Sequence, residues 1–292
     1  MDHFKTVVYV TAHDPLKRFD TLLETLRGYL ELPGEQDVFV YVDWEHREDA
    51  DVLGELLASE LNFNRLVVQV AGPEWEGFSL CWAHKESLKR DIRDKSYDFY
   101  VYTENDMLFR SEHFLYWYSW KDRLKELNLE PGFCRFEKLD TFCVPFDNHR
   151  VWNLNGPTKS VWGDRPYVCD TYLTPHDEII GFASLGNPYG GMMILDQEMA
   201  DIYVDSLSAD PVQSFERCAS RCWPIADRSS LGTAFENLLP GQEHRRVVPL
   251  IRGESSVQIA PYALLEHKDT KYSTELLHSS APVLDVSAMF QL

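Results

Sequence analysis

The sequence predicts an α/β protein with a mostly parallel central sheet flanked by helices. Two patterns carry this. From residue 5 to residue 125, short β-branched and aromatic runs alternate with amphipathic stretches at helical spacing. The runs are apolar at nearly every position, as strands buried on both faces are, so the expected crossovers are right-handed and the pairing parallel. A chain of 292 residues is long enough to cover such a sheet on both sides.

The elements follow in order. "KTVVYVT" is the first strand, and "AHDPLKR" the loop after it. Phe19, Leu22, Leu23, Leu26 and Leu30 then recur on one helical face until Pro33 and Gly34 end the helix. "DVFVYVDW" is a second strand stopping at Asp43, "EDADVLGELLASEL" a second helix and "RLVVQV" a third strand. "EGFSLCWAHKESLKRDIRDK" reads as one continuous third helix, and "YDFYVYTEND" as the fourth strand. A helix carrying Trp117 and Trp120 comes next, then a strand in "PGFCRFEK". From about residue 140 to 190, Pro, Gly, Asn and aromatics mix without a period, as in a long functional loop or a small hairpin layer. "GGMMILDQEMADIYVDSL" resumes as strand and helix, "IADRSSLGTAFENLL" as another helix, and "SVQIAPYALLEH" as the last strand. No repeat or linker interrupts the chain, so one domain over 1–292 is expected.

Composition narrows the partners. A formal charge of −19, from 47 acidic against 28 basic residues, repels polyanions over most of the surface, which disfavours nucleic acid and anionic membrane. A small anionic ligand remains compatible if a cation or a local basic cluster neutralises it. The N-terminus enters a strand within a few residues, leaving no room for a signal peptide, and no run of about 18 apolar residues follows, so a cytoplasmic protein without a transmembrane segment is expected. Six scattered cysteines suit reduced core thiols, and "CASRC" lacks the second pair a zinc site needs.

The chemistry concentrates where the fourth strand stops. A buried aromatic run ends in Glu104, Asn105 and Asp106, and open parallel sheets bind ligands beyond the carboxyl ends of their strands. Glu104 and Asp106, two apart, point to the same side of an extended chain, and Asn105 to the other. Carboxylates there need solvent, a partner or a metal. Mg²⁺ or Mn²⁺ takes one or two protein carboxylates and fills its other positions with water and phosphate oxygens. Such an ion would let this acidic chain hold a diphosphate.

"FYVYTEND", after two strand–helix units and before an aromatic helix, resembles the acidic DXD signature of the GT-A glycosyltransferases, which use nucleotide-sugar donors. The layout of about the first 125 residues is similar too, as are "YGGMMIL", like the glycine-containing strand beside donor and acceptor, and "LLEHKDTKYS", like the late histidine of the metal and diphosphate site. The motif departs from the pattern by reading END, which makes Asp106 the stronger ligand and lets Glu104 face ribose or water. The resemblance implies a Rossmann-like GT-A fold, with residues 1–125 as the nucleotide-sugar half and 126–292 as the acceptor half and C-terminal metal and diphosphate segment. It implies transfer of a sugar from a UDP- or GDP-sugar to a carbohydrate or other hydroxyl acceptor, with Mn²⁺ or Mg²⁺ on Asp106 and His267.

Other residues join this site in the same reading. Asp43 closes the second strand, where the resemblance sets it on the nucleoside, and helix capping is its alternative role. Thr11, His13 and Arg18 follow the first strand and can line the base pocket. Lys85, on the third helix, is a secondary candidate for a phosphate. His267, Lys268 and Lys271 gather an imidazole and two cations after the last strand, a reversal of sign in an acidic chain. Gly190 and Gly191 let backbone approach a ligand, and match neither a Walker loop nor a dinucleotide turn. An inverting transferase needs a carboxylate that removes the acceptor proton, and the resemblance places it at Asp227, with Asp177 and Glu178 in reserve. Trp152, Trp162, Tyr167, Tyr172 and Tyr189 could wall an acceptor or pack in the core. The alternatives are a sugar nucleotidyltransferase, against which "TAHDPLKR" lacks a glycine-rich loop, and a non-catalytic carbohydrate- or partner-binding protein on a degenerate transferase fold.

Overall fold

The computed structural model describes residues 4–127, 129–139, 142–145, 152–153, 156–157, 169–170, 179–184, 189, 191–220, 246–252 and 257–269. The chain forms two compact units, the first from 1–111 with 190–240 and the second from 112–189 with 241–292.

The first unit is built on a five-stranded sheet. Its parallel strands are β1 (Lys5–Ala12), β2 (Glu35–Val42), β3 (Arg65–Val70) and β4 (Phe99–Glu104), and the strand Met193–Asp196 lies antiparallel against β4. Across the sheet the order is Met193–Asp196, β4, β1, β2, β3. Central β1 pairs with β2 and β4 on its two sides, and Val7, Val8, Val10, Val38, Val40, Tyr100 and Tyr102 are fully buried. β3 forms one edge and is only half-buried along its middle. Helices α1 (Phe19–Tyr29), α2 (Ala50–Glu60) and α3 (Lys85–Arg93) occupy the crossovers. α1 buries Leu22, Leu23, Leu26 and Tyr29. At Gly28 it passes so close to the chain after β4 that a Cβ would sit 2.3 Å from the Phe109 carbonyl oxygen.

The third helix departs from its sequence reading. Gly77–Trp82 is a 3₁₀ turn, and the α-helix starts only at Lys85. Leu80, Cys81, Trp82, His84 and Lys85 are all buried. An α-helix would turn part of so dense a run outward, whereas the broken segment points these side chains at several elements. Trp82 meets Phe215 edge-on and donates Nε1–H to Ser214 Oγ at 3.0 Å, on the helix Pro211–Ser220. His84 lies flat on Tyr102, centroids 3.9 Å apart.

In the second unit, helix α4 (Ser111–Lys125) buries His113, Phe114, Tyr116, Trp117 and Leu124. The strand Cys134–Leu139 pairs parallel with Leu264–His267 and antiparallel with Phe142–Pro145. A second sheet pairs Ile179–Ser184 with Arg246–Arg252, and the latter with Val257–Ile259, all antiparallel. The stretch expected as one last strand is thus two, parted by a 3₁₀ turn at Pro261–Ala263, because proline cannot donate to a ladder. The buried strand Arg246–Arg252 was not foreseen, since Pro249 and its terminal arginines hide the pattern. The helix expected over "IADRSSLGTAFENLL" lies outside the described residues.

Candidate functional site

Because β1, β2 and β4 run the same way, their carboxyl ends share one edge of the first unit. The register sets Thr11 opposite Tyr41 on one side and Glu104 on the other, so these strands run out nearly level. The residues that follow bring the polar groups together.

On the β2 side stands Asp43, 4% exposed. His13 Nδ1 is 3.5 Å from its Oδ2, and His46 Nε2 is 4.0 Å from its Oδ1. His46 ends the 3₁₀ turn Trp44–His46, whose three-residue repeat carries its ring back over Asp43. Its Nε2 also lies 3.1 Å from Asp14 Oδ1, and its Nδ1 3.4 Å from Asp49 Oδ2. The Asp43 side chain makes no capping bond to that turn, and Oδ1 is buried without a hydrogen bond. A buried carboxylate oxygen in that state costs about 1–3 kcal/mol, which a ligand hydroxyl or N–H would recover.

On the β4 side, the Asn105 amide donates to the Thr11 carbonyl at 3.0 Å, and its carbonyl accepts from Thr25 Oγ1 at 3.0 Å. The END turn is thereby fixed to β1 and α1. Asn105 is itself 4% exposed, and its Nδ2 is buried with no acceptor. Asp106 Oδ2 lies 3.7 Å from Arg18 Nη1. Glu104 Oε1 receives the Cys81 thiol at 3.9 Å, and Thr11 Oγ1 and the Tyr102 hydroxyl are 3.2 Å apart. Burial, then the neighbouring Cys81 and Glu104, push the Tyr102 phenol well above its usual range. Burial and the adjacent Lys85 charge hold His84 well below the usual imidazole value, against a weaker pull from the Cys81 backbone. Neither His84 ring nitrogen has a well-formed hydrogen bond. Both groups are neutral at pH 7.

Lys85 lies elsewhere in this unit. It is fully buried, and Nζ donates to the Tyr203 hydroxyl at 2.9 Å and the Ser208 carbonyl at 2.7 Å. Its ammonium is thus engaged beside the helix Gln197–Val204, where the sequence had offered it to a phosphate. Gly191 is buried just before the strand against β4. Gly190, Asp227, Lys271, Asp177 and Glu178 lie outside the described residues, as do the side chains of Trp152, Trp162, Tyr167 and Tyr172.

In the second unit, His267 closes the strand Leu264–His267, where the parallel register brings it beside Glu137. Its Nδ1 is 2.7 Å from Glu137 Oε1, and both residues are buried. Glu137 was not foreseen, because only the strand pairing joins positions 130 residues apart. Lys268 Nζ donates to Glu266 at 3.1 Å, and Lys138 bonds the same carboxylate. Burial alone would raise Glu266, but the two lysines lower it below the usual carboxylate value. Tyr189 is buried, with Arg135 over its ring at 4.4 Å and Arg246 donating to its carbonyl, which makes it a core residue.

No protein-family model matches this sequence, and no curated protein does. Two solved structures show the kind of likeness found. The 4-diphosphocytidyl-2C-methyl-D-erythritol synthase from Anaerococcus prevotii DSM 20548 is 14% identical with a TM-score of 0.35, over 74% of this chain and 83% of that one. Residues 1–349 of S. aureus TarS are 12% identical with a TM-score of 0.36, over 91% of this chain and 58% of that one. Likenesses this distant leave substrate and reaction to the chemistry of the site.

Among the described residues, no three His, Cys, Asp or Glu side chains come together as a metal group, and no helix is long and apolar enough to cross a membrane. The donor set at β4 nonetheless suits a hard divalent cation, which takes as little as one protein carboxylate when a phosphate ligand supplies the rest. Asp106, whose side chain is 13% exposed at this edge, is the carboxylate the sequence offers for that part.

Proposed function

We propose that this chain is a GT-A-type glycosyltransferase, moving a sugar from a UDP- or GDP-sugar to a carbohydrate or other hydroxyl acceptor. The observation that carries the proposal is the shared edge where parallel strands deliver Asp43, Glu104, Asn105 and Asp106, with Asp43 Oδ1 and Asn105 Nδ2 buried and without hydrogen bonds. Such groups are rare in a finished core and common where a ligand completes the bonding.

Each residue takes a part that its chemistry allows. Asp43 accepts from ribose hydroxyls or a base N–H, with His13 beside it. Asn105 Nδ2 donates to an oxygen of the donor. Asp106 would hold Mn²⁺ or Mg²⁺, which when bound offsets the charge growing on the diphosphate oxygen that leaves. The resemblance alone offers His267 as a metal ligand; in the second unit its Nδ1 lies 2.7 Å from Glu137 Oε1. In an inverting transfer, Asp227 takes the acceptor hydroxyl proton as the acceptor oxygen bonds to the anomeric carbon and the bond to the diphosphate breaks. The −19 charge supports the need for a cation before an anionic donor can settle.

The test is a screen of nucleotide sugars for release of the nucleoside diphosphate with and without EDTA, run on wild type and Asp106→Asn. The expected result is release that needs metal and falls at least about 100-fold in the variant. Equal activity in the two proteins overturns the proposal, and nucleotide-sugar binding that ignores EDTA without turnover favours a binding protein.

A further inference from the structure

The turn after β1 is strained beside Asp43. Asp14 has φ +45°, in the left-handed region, which among the described non-glycine residues only Lys95 shares. A Cβ makes that conformation costly, and the ring of the following Pro15 pushes the residue before it toward extended backbone. Strain of this kind persists only where surrounding contacts impose it. Here the Arg18 amide donates to the Asp14 carbonyl at 3.0 Å, and Asp14 Oδ1 meets His46 Nε2 at 3.1 Å, 32 positions along the chain. Two adjacent side chains of the turn thus reach the end of β2, His13 to Asp43 Oδ2 at 3.5 Å and Asp14 to His46. His46 spans further: Nε2 is 4.0 Å from Asp43 Oδ1, and Nδ1 is 3.4 Å from Oδ2 of Asp49, directly before α2. The side chains of Asp14 and Asp49 are 49% and 41% exposed, so these contacts contribute little to stability. A strained turn held by a weakly stabilising contact, next to the enclosed and unbonded Asp43 Oδ1, calls for a functional account.

We infer that His46 is a positioning residue: by holding Asp14 in its left-handed turn, it sets His13 and Asp43 at the spacing that a nucleoside needs. This rests on the nucleoside role of Asp43 proposed above. The ladder between β1 and β2 ends at Ala12 and Val42, and past it the contacts of His13, Asp14 and His46 tie the two turns together. A ligand that met a loose turn would have to order it, and that cost would be subtracted from its affinity. His46 acts through Asp14, from the Nε2 side of its ring.

The two ring nitrogens supply the test. A glutamine amide nitrogen falls near Nε2 and can donate to Asp14, whereas an asparagine amide falls near Nδ1 and cannot. In calorimetry on the full-length protein with UDP and with GDP, in excess manganese chloride, His46→Asn should bind at least about tenfold weaker than wild type and His46→Gln within about threefold of it. Asp14→Gly removes the contact but relieves the backbone, so it should bind at least about fivefold weaker while melting within about 3 °C of wild type. Equal affinity of the two His46 variants, or unchanged affinity in Asp14→Gly, overturns the inference. A larger fall in the melting temperature of Asp14→Gly assigns the contact to stability and overturns it too. Nucleotide binding that is absent from wild type or indifferent to Asp43→Asn removes the nucleoside reading and this inference together, whereas loss in Asp43→Asn without loss in His46→Asn removes this inference alone.

Discussion

The two ends of the first unit's sheet treat their polar residues differently. At the amino end, Asp37 accepts from the Tyr97 hydroxyl at 2.7 Å and from Asn64 Nδ2, Asp98 accepts from the Lys5 amide at 2.8 Å, and Gln36 Nε2 donates to the Leu32 and Gly34 carbonyls. At the carboxyl end, Asp43 and Asn105 are as deeply buried as Asp37 and Gln36, yet Asp43 Oδ1 and Asn105 Nδ2 have no hydrogen bond. The same residue types, at the two ends of the same strands, are thus hydrogen-bonded at one end and left with an unbonded buried atom at the other. The contrast holds for carboxylates and amides rather than for every polar group, since Thr6 Oγ1 at the amino end is also buried without a hydrogen bond.

The comparison breaks if the two ends respond alike to mutation. The largest effect is expected at the amino end, where Asp37→Ala should cost about 2–3 kcal/mol in denaturant unfolding by stranding Asn64 and the Tyr97 hydroxyl. His84, just behind the carboxyl end, should give stability a pH dependence. Its folded value lies below the usual one, so below about pH 6.5 the unfolded chain binds a proton that the folded chain refuses. Stability is therefore fully present above about pH 6.5 and falls with acid, by up to about 1.4 kcal/mol per pH unit, until the folded value is reached. In a pH series of melting curves, His84→Phe should flatten that slope relative to wild type. Asp43→Asn sharpens the contrast: unfolding free energy should move by no more than about 0.5 kcal/mol, in either direction, while affinity for nucleoside diphosphate in calorimetry drops at least about tenfold. The smallest effect is expected at a surface pair outside both ends. Arg27→Gln, which breaks the 2.9 Å contact to Glu60, should change stability by about 0.5 kcal/mol or less, and less still in high salt.

Much of the first unit was legible in the chain. β1 to β4 lie where the apolar runs sit, and α1 and α2 where leucines recur at helical spacing, because a strand buried on both faces and a one-sided helix leave different periods. The third helix misled because its residues from 80 to 85 are nearly all buried, which no single helical face explains. In the second unit, Pro249 and Pro261 disguised the strands around them. Asp43, His13 and Arg18 could be named from their place at strand ends, whereas His46 and Glu137 could not. The first depends on a 3₁₀ turn folding back over Asp43, the second on a register between distant strands. Lys85 shows the converse, a lysine on a polar-looking helix whose ammonium is turned inward to Tyr203.

By itself, the sequence determined the alternation of strand and helix, the apolar character of the central strands and the acidic stop at Glu104 to Asp106, because these depend on periodicity and residue type along a short stretch. Tertiary structure alone decided which polar groups at that stop were satisfied. Hydrogen bonding is settled by neighbours from β1, α1 and the turn at Trp44–His46, tens of residues away, and the same Asp or Asn is inert or reactive according to whether those neighbours reach it.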